Sequence, residues 1–233
     1  HNDLAHLTQL LQKYQDDEAF ERIIVVTESI FSMDGDETDL AELVCIKKQF
    51  SKVMLYVDEA HAIGVRGEQG LGCAEQYGVI DDIDLLVGTF GKAIASVGGY
   101  LICHAISRDY LINAMRPLIF STAQPPICMA WTNFIFQKVL SLNSQRQHLQ
   151  QLSMYLQQAV INQGFDCPSS SHIVPVIMGE SAKTVAKAKA LQDAGFYIMP
   201  VRPPTVPQNS SRLRISLTAQ IKQFELEKLV TLL

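Results

Sequence analysis

Apolar residues in the first half of the chain form short continuous runs, separated by segments with helical periodicity. A β-rich run at 23–31 is followed by an acidic turn and by a segment at 39–50 whose apolar positions recur at helical spacing. The runs at 53–60, 84–90 and 99–104 are apolar on consecutive positions, which is typical of strands covered on both faces. This order predicts an α/β protein with a largely parallel sheet.

Helical patterns dominate the middle of the chain, and a second alternation of elements follows. Helices are predicted at 105–119, after Pro126 and at 145–164. Strands at 172–179, 196–203 and 212–218 then alternate with helices at 181–195 and 221–233. We therefore expect residues 1–145 to form part of a large α/β domain. Residues 146–233 are expected to form a small C-terminal α+β domain, which is large enough to build its own core.

The composition of the chain indicates which class of molecule it binds. Of the 233 residues, 48% are apolar, which is enough for a sizeable core. The net charge of -5 comes without a basic cluster, which argues against nucleic acid and favours small-molecule substrates. The five cysteines form no C-x-x-C pair, so neither a zinc site nor a disulfide framework is predicted. A reducing cytoplasm is the expected location.

Two further observations concern the context of the chain. No apolar run reaches the roughly 20 residues that a membrane helix needs, so no membrane association is predicted. The chain opens with His1 rather than methionine, directly on a helix-like segment. We expect that the first part of a longer protein is missing.

Polar residues suited to chemistry follow two of the predicted strands. Asp58 and His61 come after the second strand, and Thr89 and Lys92 come after the third. In open α/β sheets, ligands bind at the carboxyl ends of the strands, so these residues are the first candidates for a site.

Spacing alone leaves two interpretations of each pair open. Asp58 is either a helix-capping residue beside an incidental histidine or a buried carboxylate that faces a protonated ring nitrogen. Lys92 is either a surface charge or a desolvated amine that forms a Schiff base with an aldehyde, while Thr89 binds a phosphate. An aspartate for a pyridinium nitrogen and a lysine for an aldehyde are the two partners that pyridoxal phosphate requires. The combination therefore indicates that cofactor more specifically than either residue does.

Five ordered motifs resemble those of the α-oxoamine synthases. They are 32-SMDGD-36, 57-VDEAHAIGVRGEQGLG-72, 89-TFGK-92, 121-STAQPP-126 and 202-RPPTVPQNSSRLRISLT-218. Enzymes of this family are pyridoxal-phosphate-dependent acyltransferases of fold type I, the aspartate aminotransferase fold. The resemblance covers essentially the whole chain and implies this fold, with a mostly parallel sheet and a small C-terminal α+β domain.

The resemblance implies cofactor-binding roles for residues of the predicted large domain. Lys92 would form the Schiff base, Asp58 would pair with the pyridine nitrogen, and His61 would hydrogen-bond the phenolic oxygen of the cofactor. Ser32 would lie nearby, and Thr89 would bind the phosphate. The family members need no metal.

Other implied roles involve a partner subunit and the small domain. Ser121 and Thr122 would reach the cofactor phosphate of the partner subunit, which makes the active site a property of a homodimer. Arg214 resembles the arginine that holds the amino-acid carboxylate, and a guanidinium suits that planar anion. Thr205 matches a residue near the acyl substrate. Arg214 as an exposed strand residue and Thr205 as a turn residue between prolines remain alternatives.

Within the family, RPPTVP followed by RLRISLT is most similar to the members that make a biotin precursor. These members condense L-alanine with a pimeloyl thioester of coenzyme A or of an acyl carrier protein, with loss of CO2. A glycine-using α-oxoamine synthase, a non-catalytic subunit and a fragment unable to bind cofactor are the alternatives. Retention of Lys92, Asp58 and His61 argues against a non-catalytic subunit, since an inert partner has no need of a buried amine.

The chain departs from the family pattern at two points. Relatives often have glycine three residues after the lysine, where this chain has Ala95. The family also has a histidine that stacks on the cofactor ring, in a region that precedes this stretch of sequence. Neither His1 nor His6 matches that histidine.

Overall fold

The computed structural model describes residues 1–233 and distinguishes two units of structure. Unit 1 comprises His1–Ser29 and Thr38–Asn143, and unit 2 comprises Ile30–Glu37 and Ser144–Leu233. A short early segment therefore packs with the C-terminal part of the chain. The division of the whole protein into domains at residue 145 stays a prediction.

Unit 1 contains four strands and several helices. The helices are α1 (Leu4–Tyr14), α2 (Leu40–Lys47), α3 (Cys73–Gln76), α4 (Ala105–Ala114), α5 (Arg116–Ile119) and α6 (Pro126–Leu140). The strands are β1 (Ile23–Glu28), β2 (Val53–Asp58), β3 (Leu85–Thr89) and β4 (Gly99–Cys103), and a short 3-10 helix at Ile80–Asp82 precedes β3. Helix α7 (Asn143–Asn162) begins at the last residue of unit 1.

The four strands of unit 1 form one sheet in the order β1-β2-β3-β4. Strand β2 pairs in parallel with both β1 and β3, while β4 runs antiparallel to β3 along one edge. The predicted α/β class with a mostly parallel sheet is confirmed. The parallel pairing brings the carboxyl ends of β1, β2 and β3 to the same edge of the sheet.

Burial differs between the strands of this sheet. In β2, Val53, Leu55 and Val57 are almost fully buried, as is Leu43 of α2. In β1, by contrast, Ile24 and Val26 are 57% and 67% exposed. The expectation of a strand covered on both faces is wrong for β4, where Leu101 and Ile102 are 38% and 51% exposed. No element of this chain covers those side chains, although their apolar character suits a packed surface.

The helix predicted at 105–119 is broken in the structure. Helix α4 ends at Ala114, Met115 adopts an extended conformation, and α5 starts at Arg116. Pro117 explains the break, because proline has no N–H for the carbonyl of residue 113 and its ring collides with the preceding turn, whereas proline is tolerated in the first turn of a new helix. No helix of the chain combines the length and the apolar character needed to cross a membrane.

Unit 2 is built on an antiparallel sheet with the order β5-β7-β6. Its strands are β5 (Ile173–Gly179), β6 (Met199–Val201) and β7 (Ser211–Ser216), and its helices are α8 (Ser181–Asp193), α9 (Gln223–Leu232) and most of α7. The core includes Leu156 of α7, Leu191 of α8 and Leu213 of β7. Strand β6 is shorter than the predicted 196–203 at both ends, and prolines 203 and 204, which lack the N–H groups that a ladder requires, account for its early C-terminal end.

The segment 30–37, which we call the 30–37 loop, is an integral part of unit 2. Ile30 and Glu37 form an antiparallel bridge, so the loop closes on itself. Gly35 is buried with a φ of +70°, and a Cβ atom at this position would collide with the carbonyl oxygen of Ile173 in β5. Glycine is therefore required by both conformation and space, and the loop is seated directly on the sheet.

Candidate active site

The strand ends gather four of the candidate residues at one edge of unit 1. Asp58 is the last residue of β2 and pairs in register with Glu28, the last residue of β1. Thr89 ends β3, the next parallel strand. His61 and Lys92 follow in the loops that leave β2 and β3. In open α/β sheets this edge is where ligands bind.

The Asp58 side chain is fixed by the turn that follows β2. Its Oδ1 accepts a hydrogen bond from the N–H of Ala60 at 2.7 Å, and its backbone carbonyl accepts one from the N–H of Ser29 at 2.9 Å. Residues 59–72 contain no helix, so the helix-capping interpretation is wrong. The bond from Ala60 engages Oδ1, and Oδ2 is the second carboxylate oxygen that could accept from a proton donor of a ligand.

Glu59, which the sequence analysis did not single out, stabilises the carboxyl edge of the sheet through buried hydrogen bonds. Its side chain is fully buried and accepts three hydrogen bonds: from the Ser29 hydroxyl at 2.7 Å, the Cys73 N–H at 3.0 Å and the Ala74 N–H at 2.6 Å. Burial raises the pKa of Glu59 above its ordinary value, although the hydrogen bonds oppose this effect. Glu59 thereby joins both ends of the 60–72 loop, which carries His61, to the end of β1.

The Thr89 hydroxyl is engaged with its own loop. Its Oγ1 donates to the carbonyl of Gly98 at 3.1 Å and accepts from the N–H of Gly91 at 3.1 Å. These two bonds fix the hydroxyl at the mouth of the loop between β3 and β4. A phosphate bound by Thr89 would replace the Gly98 carbonyl as the acceptor of its proton.

Lys92 lies in the same loop, and its side chain is exposed. The loop is anchored by Ile94, which is fully buried and packs with Ile63 and Val139. The expectation of a desolvated lysine is therefore wrong for this chain, because the buried position of the loop belongs to Ile94. The amine is accessible to a ligand at the carboxyl edge.

Ala95, three residues after the lysine, has a φ of +51°. Its N–H donates to the carbonyl of Lys92 at 2.9 Å, and its own carbonyl accepts from the Trp131 indole at 2.9 Å. These bonds hold the residue in the left-handed region, where a side chain is strained and glycine is favoured. The backbone geometry thus accounts for a preference for glycine at this position.

Replacing Ala95 with glycine should increase stability, because glycine removes the left-handed strain. We expect the free energy of unfolding to rise by about 0.5–1 kcal/mol, after the entropy of the more flexible residue is subtracted. Urea unfolding monitored by circular dichroism measures the difference. Ala93→Gly is the matched control, since Ala93 is exposed without a positive φ and its replacement should be neutral or destabilising. A loss of stability in Ala95→Gly would contradict this explanation.

Tyr100 is a second residue that the sequence analysis missed. It lies opposite Gly88 in the β3–β4 pairing, and its ring and hydroxyl occupy the space where a Cβ of residue 88 would stand. The ring also packs on Phe90 with centroids 5.4 Å apart. Burial, with smaller contributions from the charges of Glu59 and Asp58, raises the pKa of Tyr100 above its ordinary value. The phenol therefore stays protonated beside the carboxylates of this edge.

Ser121 and Thr122 lie in the connection between α5 and α6, and both are exposed. Several large apolar side chains around them are also exposed, among them Phe120 at 76% and Ile127 at 75%. This part of unit 1 therefore presents two hydroxyl groups within an apolar surface.

Unit 2 carries the remaining candidates, and it brings Arg214 and Ser32 together. Arg214 Nε donates to the backbone carbonyl of Ser32 at 2.6 Å, and Nη1 donates to the Ser216 hydroxyl at 2.8 Å. Partial burial lowers the pKa of Arg214 below its ordinary value, but a guanidinium remains charged at neutral pH. Arg214 also lines a cavity of about 270 Å³ together with Tyr197 and Glu225. The interpretation of Arg214 as an exposed strand residue is wrong, since its side chain is partly buried and hydrogen-bonded.

Thr205 lies in the turn between β6 and β7 and is exposed. Its N–H donates to the carbonyl of Arg202 at 3.0 Å, and no hydrogen bond fixes its hydroxyl. The structure thus agrees with a turn residue between prolines, and a role near an acyl substrate stays a prediction.

Comparison with known proteins identifies the family of the chain. The profile of the family described as aminotransferase class I and II matches residues 1–233. The 8-amino-7-oxononanoate synthase of Haemophilus ducreyi (strain 35000HP / ATCC 700724) is 55% identical over 237 residues, which cover 100% of this chain and 61% of that protein. The chain thus spans about three fifths of the length of the curated relatives that it matches.

Solved structures share the fold. Serine palmitoyltransferase of Sphingomonas wittichii superposes with a TM-score of 0.90 and 32% identity, over 100% of this chain and 58% of that one. A structure described as serine palmitoyltransferase with its pyridoxal-phosphate internal aldimine gives a TM-score of 0.89 and 29% identity, over 100% and 58% of the two chains. The expected aminotransferase-like fold is confirmed.

Proposed function

The chain belongs to the aminotransferase class I and II family, and from this premise we propose that it is part of a pyridoxal-phosphate-dependent acyltransferase. The proposed reaction condenses L-alanine with a pimeloyl thioester, releasing CO2 and the thiol and giving 8-amino-7-oxononanoate for biotin synthesis. The observation that carries the proposal is that Asp58 ends β2 and Lys92 lies in the loop after β3, the neighbouring parallel strand. The 55% identity to a protein named for this activity supports the choice of reaction.

The residues at this edge suit pyridoxal phosphate chemically. Asp58 offers Oδ2 as an acceptor, Thr89 offers a hydroxyl at a loop mouth, and Lys92 offers an accessible primary amine. These groups match the ring nitrogen, the phosphate and the aldehyde of the cofactor. When bound, the cofactor supplies an electron sink that stabilises a carbanion on the α-carbon of the amino acid.

Each residue of the edge has a distinct task in this proposal. The Asp58 carboxylate, held by Ala60, would favour a proton on the ring nitrogen of the cofactor. The Lys92 amine would hold the aldehyde of the cofactor, and the same amine would serve as the base for the α-proton of the amino acid. His61 donates a hydrogen bond to the phenolic oxygen, and the Glu59 bonds hold the loop that carries it.

Unit 2 binds the substrates in this proposal. Arg214 receives the amino-acid carboxylate, because a guanidinium plane matches a planar anion in two parallel hydrogen bonds. Ser32 lies near the cofactor, and Thr205 contacts the acyl substrate from its exposed turn.

We propose that the protein acts as a homodimer in the cytoplasm. The exposed apolar surface near Ser121 and Thr122 suits a subunit interface, and both hydroxyls would reach the cofactor phosphate in the partner subunit. The five cysteines of the chain form no disulfide in the structure, which fits a reducing compartment.

An assay of the full-length protein with purified pyridoxal phosphate tests the reaction. We expect CO2 release with L-alanine and pimeloyl-CoA or pimeloyl carrier protein, and a kcat/KM for alanine at least about tenfold above that for glycine or serine. Preference for glycine would identify the glycine-using relative instead. Turnover confined to serine with long-chain acyl thioesters would also contradict the proposal, and would match the activity named for the Sphingomonas neighbour.

A further inference from the structure

The 30–37 loop and strand β7 are joined by two arginines that lie two positions apart. Residues 212 and 214 point to the same face of β7, because side chains alternate along a strand. Arg212 Nη1 contacts the Asp34 carboxylate and the Met33 carbonyl, the latter at 3.4 Å. Arg214 Nε contacts the Ser32 carbonyl at 2.6 Å. Both guanidinium groups therefore hold the same short loop, over three successive residues.

The Asp34–Arg212 contact is an ion pair in which the arginine is buried and the aspartate is partly exposed. The Arg212 side chain is 5% exposed and that of Asp34 is 33% exposed. Arg212 Nε donates in addition to the Ser210 carbonyl at 3.1 Å. A guanidinium this deeply buried requires a charged partner, and removing that partner leaves an uncompensated charge. The pair thus determines where the loop sits on β7.

The 30–37 loop is held rigid by its own hydrogen bonds, so its residues move together. The Phe31 N–H donates to the Asp36 carbonyl at 2.9 Å, and the Gly35 N–H donates to the Phe31 carbonyl at 2.9 Å. Gly35 is seated against Ile173 with no space for a side chain. A displacement of Asp34 must therefore displace Ser32, two residues away, whose carbonyl holds Arg214.

We propose that Asp34 is a positioning residue for Arg214: its ion pair with Arg212 seats the 30–37 loop, and the Ser32 carbonyl then orients the Arg214 guanidinium toward the carboxylate of the amino-acid substrate. Two donor groups of Arg214 are fixed by Ser32 and Ser216, which sets the plane of the guanidinium. Bidentate carboxylate binding depends on that plane. The inference rests on the proposed function for the identity of the ligand.

Asp34→Asn in the full-length holoenzyme tests this role. Asparagine keeps the size and one acceptor but removes the charge, so the loop loses its fixed seat. We expect KM for the amino acid, and the dissociation constant obtained by titrating the visible absorption of the cofactor with that amino acid, to rise about 5- to 20-fold. The kcat should change less than about threefold, because no group that touches the reacting atoms is altered. The KM for the thioester should not change.

Two further variants separate positioning from general stability. Asp193→Asn is the matched control, because Asp193 forms an exposed pair with Lys189 in the same unit, and its amino-acid affinity should equal that of the wild type. In an Arg214→Lys background, adding Asp34→Asn should change the affinity for the amino acid by less than about twofold. The guanidinium that Asp34 helps to orient is already absent from that background. If Asp34→Asn does not fold, Arg212→Lys takes its place in the same comparison.

The outcomes distinguish this inference from the proposed function. If the wild type shows no spectral response to any amino acid, the proposed function is wrong and the inference falls with it. If the wild type responds while Asp34→Asn binds the amino acid equally well, the inference alone is overturned. Additive effects of Asp34→Asn and Arg214→Lys would also overturn it, because Asp34 would then act independently of Arg214.

Discussion

Replacing Lys92 with alanine in the full-length protein should reduce turnover by about 10³-fold or more, since the chain then lacks both its nucleophile and its base. Pyridoxal phosphate should also lose the visible absorption that reports a Schiff base with the protein. Both effects follow from the position of Lys92, whose amine is accessible at the carboxyl edge beside Thr89. Absorption spectra of the purified protein and single-turnover CO2 release measure them.

The Lys92 experiment has a matched control and a clear contrary result. Lys183→Ala removes an exposed lysine of α8 in unit 2 and should leave the spectrum and the turnover unchanged. A Lys92→Ala protein that keeps the wild-type spectrum would show that another amine holds the cofactor. In that case the assignment of the 89-TFGK-92 loop would be wrong.

Glu59→Ala is expected to be the most destabilising single change at the candidate site. It removes the acceptor of the buried N–H groups of Cys73 and Ala74, leaves the Ser29 hydroxyl with only its 3.4 Å contact to the Asp58 carbonyl, and opens a cavity. Unsatisfied buried donors and a cavity together should lower the free energy of unfolding by about 3–5 kcal/mol. Urea unfolding monitored by circular dichroism measures this loss.

Two other substitutions test whether the loss of stability comes from the hydrogen bonds of Glu59. Glu18→Ala, at an exposed position, should change the free energy of unfolding by less than about 0.5 kcal/mol. Glu59→Gln should fall between the wild type and Glu59→Ala, because its amide can accept from one N–H group but faces another with a donor. Wild-type stability in Glu59→Ala would mean that the three hydrogen bonds are not needed to hold the loop.

Periodicity predicted the elements of this fold well, because most of them bury a continuous face. The strands at β2 and β3 and the helices α6 to α9 occur close to their predicted ranges. The errors arose where local geometry overrides the pattern. Pro117 splits one predicted helix into α4 and α5, and the prolines at 203 and 204 shorten β6. Exposure of Ile24 and Val26 could not be predicted, because an apolar pattern does not reveal which polypeptide covers it.

The candidate site was only partly predictable from sequence. Asp58 and Thr89 were found because they end strands, and strand ends can be located from periodicity. Glu59 was missed, although it continues the alternation of buried positions in β2, where a charged residue is unusual. Arg212 was missed because its partner, Asp34, is 178 positions away in the sequence, and no local pattern indicates such a pair.

That sequence separation has a consequence for folding during synthesis. The 30–37 loop emerges from the ribosome well before strand β7, because Arg212 is synthesised 178 residues after Asp34. At typical synthesis rates the loop must wait about 10–35 s before its partner strand exists. Unit 1 can form its parallel pairings in that interval, whereas unit 2 must close a long loop before its sheet is complete. We therefore expect unit 2 to be the last part of the chain to acquire protection from proteolysis on the ribosome.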